Sequence, residues 1–101
     1  MVMSELVPIA KAIEGRRSRF DVIASILDIA KYGAAKGEIM LRANLNSKVA
    51  GLYLQKLISK GLLMAEDGEN GRKVYKTTLK GIKYLEYYRM LLAMLEEVTE
   101  F

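Results

Sequence analysis

KGEIMLRANLNSKVAGLYLQKLISKG, residues 36–61, contains the break that decides the fold. Ile39, Met40 and Ala43 recur at helical spacing, and Asn44-Leu45-Asn46 then interrupts the pattern. A second helix is predicted from about Ser47 to Lys60. Asn46 is a good N-cap, because its side-chain oxygen can accept from the backbone N–H groups that open the next helix. Two helices joined by so short a turn cross steeply, which is a helix-turn-helix. On the second helix Val49, Ala50, Tyr53, Leu54 and Leu57 share an apolar face. Lys48, Gly51, Leu52, Gln55 and Ser59 share the opposite one, the candidate DNA face. Gly61 stops the helix and releases Leu62-Leu63-Met64 as a strand. Any two amphipathic helices could give this pattern, so the flanking sequence has to decide between them.

Downstream, Leu62–Asp67 and Arg72–Thr77 read as two strands around Asn70-Gly71, a strong hairpin signal. Arg72 and Lys73 lie just past its tip, where a wing would bring cations to the phosphate backbone. Asp67 and Glu69 oppose that reading, and a Glu69–Arg72 charge pair is the alternative use. Thr77 or Thr78 caps a last helix over Leu79–Thr99, roughly 30 Å long. Gly81 is a mild weakness in it. Leu85, Tyr88, Leu92 and Leu95 form one apolar stripe, with Tyr84, Leu91, Met94 and Val98 beside it. A helix apolar on most sides needs a partner, so it is expected to form a dimer seam through Leu85, Tyr88, Leu91, Leu92, Leu95 and Val98. Tyr84, Tyr87 and Tyr88 are read as packing residues, not base-stacking ones.

Upstream, Ser18 and Asp21 have capping-box spacing and start a helix at Arg19 that runs to about Tyr32. Phe20, Ile23, Ala24, Leu27 and Ala30 make one apolar face, Val22, Ile26 and Ile29 a second. Asp21, Ser25, Asp28 and Lys31 are left as a narrow polar stripe. Gly33-Ala34-Ala35 breaks this helix and has room for one very short strand. A further helix, Ser4 to about Glu14, is predicted ahead of it, with Pro8 tolerated in its first turn. The chain therefore divides into an N-terminal extension (1–15), a winged helix-turn-helix (16–78) and a C-terminal dimerisation helix (79–101). The fold class is mainly α with a small β-hairpin.

The 101 residues suffice for one domain, and 51% are hydrophobic, yet no apolar run approaches the roughly 20 residues that cross a bilayer. The surplus apolar surface is expected to meet another subunit. Net charge is +4, and its distribution is uneven. Residues 16–60 hold nine Lys/Arg against three acids, and residues 72–89 hold six against one, while acids gather at residues 66–69 and in the tail. That pattern favours an anionic partner. With no Cys and no His, disulfides and the usual zinc sites are excluded, and a neutral-pH general base would need a perturbed carboxylate or lysine. The expectation is a protein that is not an enzyme and needs no cofactor or metal. The N-terminus lacks a basic region ahead of a long apolar core, so an intracellular, cytoplasmic protein with no membrane partner is expected.

SRFDVIASIL (18–27), KGEIMLRANLNSKVAGLYLQKLISKGLL (36–63) and YKTTLKGIKYLEYY (75–88) resemble the archaeal winged-helix proteins that include the small dimeric 10a-type chromatin-associated proteins and related predicted transcriptional regulators. The likeness spans about residues 17–95, and Ile39-Met40, Ala43–Asn46, Tyr53-Leu54 and Gly61–Leu63 carry its specificity. It implies a homodimer joined through antiparallel C-terminal helices that binds double-stranded DNA, in a nucleoid-type or regulatory role. Two departures stand out. Gly37 occupies the place of the family's Thr or Ser cap, and the last helix is short for a 10a-type coiled coil, which favours a compact regulator-like dimer.

The leading expectation is a dimeric transcriptional regulator that reads base edges with Ser47, Lys48, Leu52 and Gln55. Arg16, Arg17, Arg19, Lys36, Arg42, Lys56, Arg72 and Lys73 would hold phosphates. The alternatives are a non-specific chromatin protein and a winged-helix module that docks on protein. Any small-molecule effector, the operator and the direction of regulation stay open.

Overall fold

The computed structural model describes residues 17–99, with side chains through Glu96. The predicted helix at Ser4–Glu14 and the side chains of Arg16 and Val98 lie outside the described residues. Helix α1 spans Arg19–Ile29, α2 Lys36–Ala43 and α3 Ser47–Ser59. Strand β1 (Leu63–Asp67) and strand β2 (Lys73–Thr77) flank a short 3-10 turn, and α4 runs over Leu79–Thr99.

Each junction has a local cause. Ser18 and Asp21 form the reciprocal capping box that opens α1, the Asp21 N–H donating to the Ser18 hydroxyl at 3.2 Å and the Ser18 N–H to the Asp21 carboxylate at 2.9 Å. Asn44 ends α2 in the left-handed region at φ 56°. Asn46 then accepts from the Val49 N–H at 2.8 Å and opens α3. Helix α2 itself has no side-chain cap, because its N-cap is Ala35 and Gly37 already lies inside the helix. Gly61, at φ +76°, turns the chain out of α3. In the hairpin, Asn70 and Gly71 take φ 61° and 72°, which is what their identities suggest.

The strands pair antiparallel from Leu63↔Thr77 to Asp67↔Lys73. Ala34 bridges Tyr75 on the far side of β2, with backbone bonds of 2.9 and 2.8 Å, so the very short strand expected at Gly33–Ala35 is a single bridge. Ile26, Leu27, Ile39, Leu57 and Leu63 are fully buried at the centre, each contributing about 1.5–3 kcal/mol of burial energy. This is the expected winged helix-turn-helix with a long terminal helix.

Helix α4 returns across α1, and that contact takes up two residues assigned to the subunit seam. Leu85, assigned to a subunit seam, is 2% exposed and belongs to the core of its own chain. Tyr88 beside it is half-buried, and its hydroxyl donates to Asp21 at 2.5 Å. The polar stripe of α1 is therefore an anchor for α4. Tyr84 donates to the Phe20 carbonyl at 2.9 Å, and Arg89 pairs with Asp28 at 3.2 Å. Phe20, at the start of α1, is 66% exposed. Gly81 also proves more than a weak helix residue. A Cβ there would lie 2.4 Å from the Leu62 carbonyl oxygen and 2.5 Å from Thr77 Cγ2, so glycine lets α4 start hard against the sheet. Thr78 caps that start, its hydroxyl accepting from the Gly81 N–H at 3.1 Å and donating to the Gly61 carbonyl at 2.6 Å.

Candidate nucleic-acid interface

Helix α3 presents its polar face because its other face is committed to the core. Ala50, Leu54 and Leu57 are buried there, with Val49 and Tyr53 half-buried beside them. Ser47, Lys48, Leu52, Gln55 and Ser59 are exposed opposite. The wing curls toward that face and leaves a groove. Lys36, Ser47, Lys48, Leu52 and Gln55 line one wall, and Lys73 and Tyr75 the other. No Asp or Glu lines it, and none of the ion pairs found among the described residues involves Lys36, Lys48 or Lys73. Three lysines thus line one open groove whose lining holds no Asp or Glu; Asp67, opposite Lys73 in the hairpin register, is the acid that the strand pairing places nearest.

The four residues assigned to base contact all fall on this groove, and two of those assigned to phosphate, Lys36 and Lys73, join them. The others separate. Arg19 and Lys56 line a second, more apolar hollow on the α1 flank of α3, floored by Ile23, Tyr53 and Leu57. Arg42 is paired with Glu38 at 3.0 Å on its own helix. Arg17 donates to the Asn44 carbonyl at 3.3 Å and so braces the turn of the helix-turn-helix. Arg72 is exposed at the hairpin tip, and it makes no ion pair with Glu69, whose contact with it is a backbone carbonyl accepting from the Arg72 N–H at 3.3 Å.

Ala65 and Tyr75 were missed as groove residues. They are register partners, so strand alternation could have placed them on the same face as Lys73 and Asp67. The position of the Lys36 ammonium had no sequence signal. It lies 3.5 Å from where a Cβ on Gly51 would stand, a contact between residues of different helices.

Beyond Leu79 at its start, α4 exposes an apolar stripe of Tyr87, Met90, Leu91 and Met94, at steps of three and four. Of the predicted seam, Leu91 lies in this stripe at 61% exposure. Leu92 is at its edge and Leu95 is half-buried. No helix among the described residues is long and apolar enough to cross a membrane, and no group of His, Cys, Asp and Glu among them could hold a metal ion.

A family model described as winged helix-turn-helix matches residues 16–96. Among solved structures, the chain is similar to Sso10a-2, a DNA-binding protein from Sulfolobus solfataricus, with 25% identity and a TM-score of 0.73 over 83% of this chain and 87% of that one. It is also similar in fold to MepR, a transcription regulator of the Staphylococcus aureus multidrug efflux pump MepA, with 15% identity and a TM-score of 0.73 over 97% of this chain and 74% of that one. A MepR–DNA complex aligns at 14% identity and a TM-score of 0.68, over 95% of this chain and 70% of that one. No curated protein matches the chain.

Proposed function

The chain belongs to the winged helix-turn-helix family, and from that premise we propose that it is a transcription regulator that binds double-stranded DNA as a homodimer. The groove between α3 and the wing, lined by Lys36, Lys48 and Lys73 and by no Asp or Glu, carries this reading. Clustered, unpaired cations repel one another, and a polyanion relieves that repulsion while releasing its own counterions. Sso10a-2 is a DNA-binding protein and MepR has been solved on DNA, which supports the same use of this fold.

In this reading α3 enters the major groove. Lys48 donates to guanine O6 and N7, Gln55 pairs with adenine N6 and N7, Ser47 contacts either, and Leu52 meets a thymine methyl. Arg72 and Lys73 on the wing hold the phosphate backbone, with Arg19, Arg42 and Lys56 at the flanks. The subunit seam is the exposed stripe of α4, Tyr87, Met90, Leu91 and Met94, in place of Leu85 and Tyr88. Two copies of one stripe make an isologous contact, the commonest way to cover such a surface.

Fluorescence anisotropy with a random-sequence duplex from about 50 to 200 mM salt tests the reading. The expected result is a steep fall in affinity, each phosphate contact adding about −0.9 to the log–log slope. No binding at the lowest salt would sink it. Selection from a random pool then separates a regulator, which enriches a site, from a chromatin-packaging protein, which does not. Replacing Lys48 and Gln55 with Ala is expected to flatten the preference. Sedimentation equilibrium on Leu91→Glu is expected to give a folded monomer, and an unchanged dimer would move the seam elsewhere.

A further inference from the structure

We propose that Lys36, on the first helix of the helix-turn-helix, is a base-reading residue that stands in for the side chain missing at Gly51 of α3. The inference rests on the DNA-binding reading above and concerns which contact gives it sequence preference. Positions 48, 51, 52 and 55 share one face of α3, at the steps of three and four that bring side chains together. Lys48 and Gln55 project from that face, and Gly51 between them projects nothing. The Lys36 ammonium lies 3.5 Å from where a Cβ at residue 51 would stand, and it lines the same groove as Lys48 and Gln55. A row of three donors results, with its middle member supplied by another helix.

Two further features separate Lys36 from a phosphate clamp. It is half-buried, whereas Lys48 and Lys73 are exposed, so its ammonium is held against α3 with less freedom to follow a phosphate. It also has no carboxylate partner among the described residues that would divert it. A glycine at residue 51 lets the helix backbone approach the base edges closely. A lysine held there can donate to guanine O6 and N7, the pattern that marks a G·C pair in the major groove.

The test compares full-length wild type, Lys36→Met, Gly51→Leu and Lys73→Met on the selected site and on each of its single base-pair substitutions, at several salt concentrations. Methionine keeps the length of the stem and removes the charge; leucine at 51 displaces the ammonium without removing it. Lys36→Met and Gly51→Leu are expected to lose about tenfold in discrimination at the same one or two base pairs, keeping the ranking elsewhere. Lys73→Met is expected to weaken all duplexes alike. If Lys36→Met weakens every duplex equally and retains the full ranking, Lys36 is a phosphate contact, and the proposal fails while DNA binding stands. Wild type that binds all duplexes equally overturns it as well, and wild type that binds no duplex overturns the DNA-binding reading itself.

Discussion

The joint between α1 and α4 and the groove between α3 and the wing are both rich in polar side chains, but they use them in opposite ways. At the joint every prominent group has a partner from the same chain. Asp21 receives Tyr88, the Ser18 N–H and the Ser18 hydroxyl; Asp28 receives Arg89 at 3.2 Å and Lys31 at 3.7 Å. Thr77, buried nearby, donates to the Leu27 carbonyl at 2.6 Å. In the groove Lys36, Lys48 and Lys73 have no ion-pair partner among the described residues. Groups satisfied within the chain hold helices together, and removing one leaves its partner stranded. Groups left unsatisfied in solvent contribute little to folding and are free to meet a ligand. Substitutions should therefore move stability at one region and DNA binding at the other.

The largest effect is expected where the joint meets the sheet. Gly81→Ala forces a methyl group into the Leu62 carbonyl and Thr77, neither of which is the free end of a flexible chain. Overpacking of this kind costs about 1–3 kcal/mol, and a carbonyl contact of 2.4 Å puts this site at the upper end. In thermal unfolding that is a fall in Tm on the order of 10 °C or more for a domain of this size. The salt slope of DNA binding by the folded fraction should not change. A Gly81→Ala protein as stable as wild type would show that α4 is not seated tightly, and the contrast between the regions would lose its firmer half.

Tyr88→Phe should have a smaller effect, about 1 kcal/mol, because the bond it removes ends on a charged carboxylate but is only partly buried. Its pH dependence gives it a signature. Burial, the hydrogen bond to Asp21 and that residue's charge together raise the Tyr88 hydroxyl from 10.0 to about 12. Its contribution is therefore complete below pH 10 and is lost as pH rises through about 12. Burial works to raise the Asp21 carboxyl, but the bonds from Tyr88 and Ser18 and the charge of Arg17 outweigh it and hold it below 3.8. That contribution is present above pH 3.8 and is lost as pH falls through the lowered value. Urea titrations of wild type and Tyr88→Phe should differ by a constant amount between about pH 4 and pH 10 and converge on either side. A difference that persisted at both extremes would assign the effect to packing alone.

How far each region was legible in the sequence follows from how local its causes are. Ser18 with Asp21, Asn46, Asn70-Gly71 and Thr78 act within a few residues, so the elements they delimit were all visible, and the exposed polar face of α3 followed from its cap and its periodicity. Helix α4 was different. Apolar on most sides, it carries no phase that says which stripe meets its own domain, and Leu85 and Tyr88 were assigned outward although they pack inward. The polar stripe on α1 was visible, but not its partners, because Tyr88 and Arg89 reach Asp21 and Asp28 from the far end of the chain. Gly81 was legible as a mild helix weakness and Gly51 as a member of the exposed face of α3, but neither as a close approach, since what lies near them comes from residues 62 and 36.

The smallest effect on folding, and the most direct probe of the other half of the contrast, belongs to Lys73. It is exposed, has no ion pair among the described residues, and stands in register opposite Asp67 on the groove face of the wing. Lys73→Ala should change stability by no more than about 0.5 kcal/mol, the usual range for such surface sites. If Lys73 holds a phosphate, the same change should make the salt slope shallower by about 0.9 and leave the ranking of sequences intact. Asp67→Asn should act in the opposite direction. It removes the negative charge nearest Lys73 in the hairpin register, so affinity should rise at low salt and the gain should fade as screening shortens the reach of the field. Both substitutions leave β1 and β2 paired, because their register is set by backbone bonds. An unchanged slope in Lys73→Ala together with no gain in Asp67→Asn would take the wing off the DNA and leave α3 to bind alone.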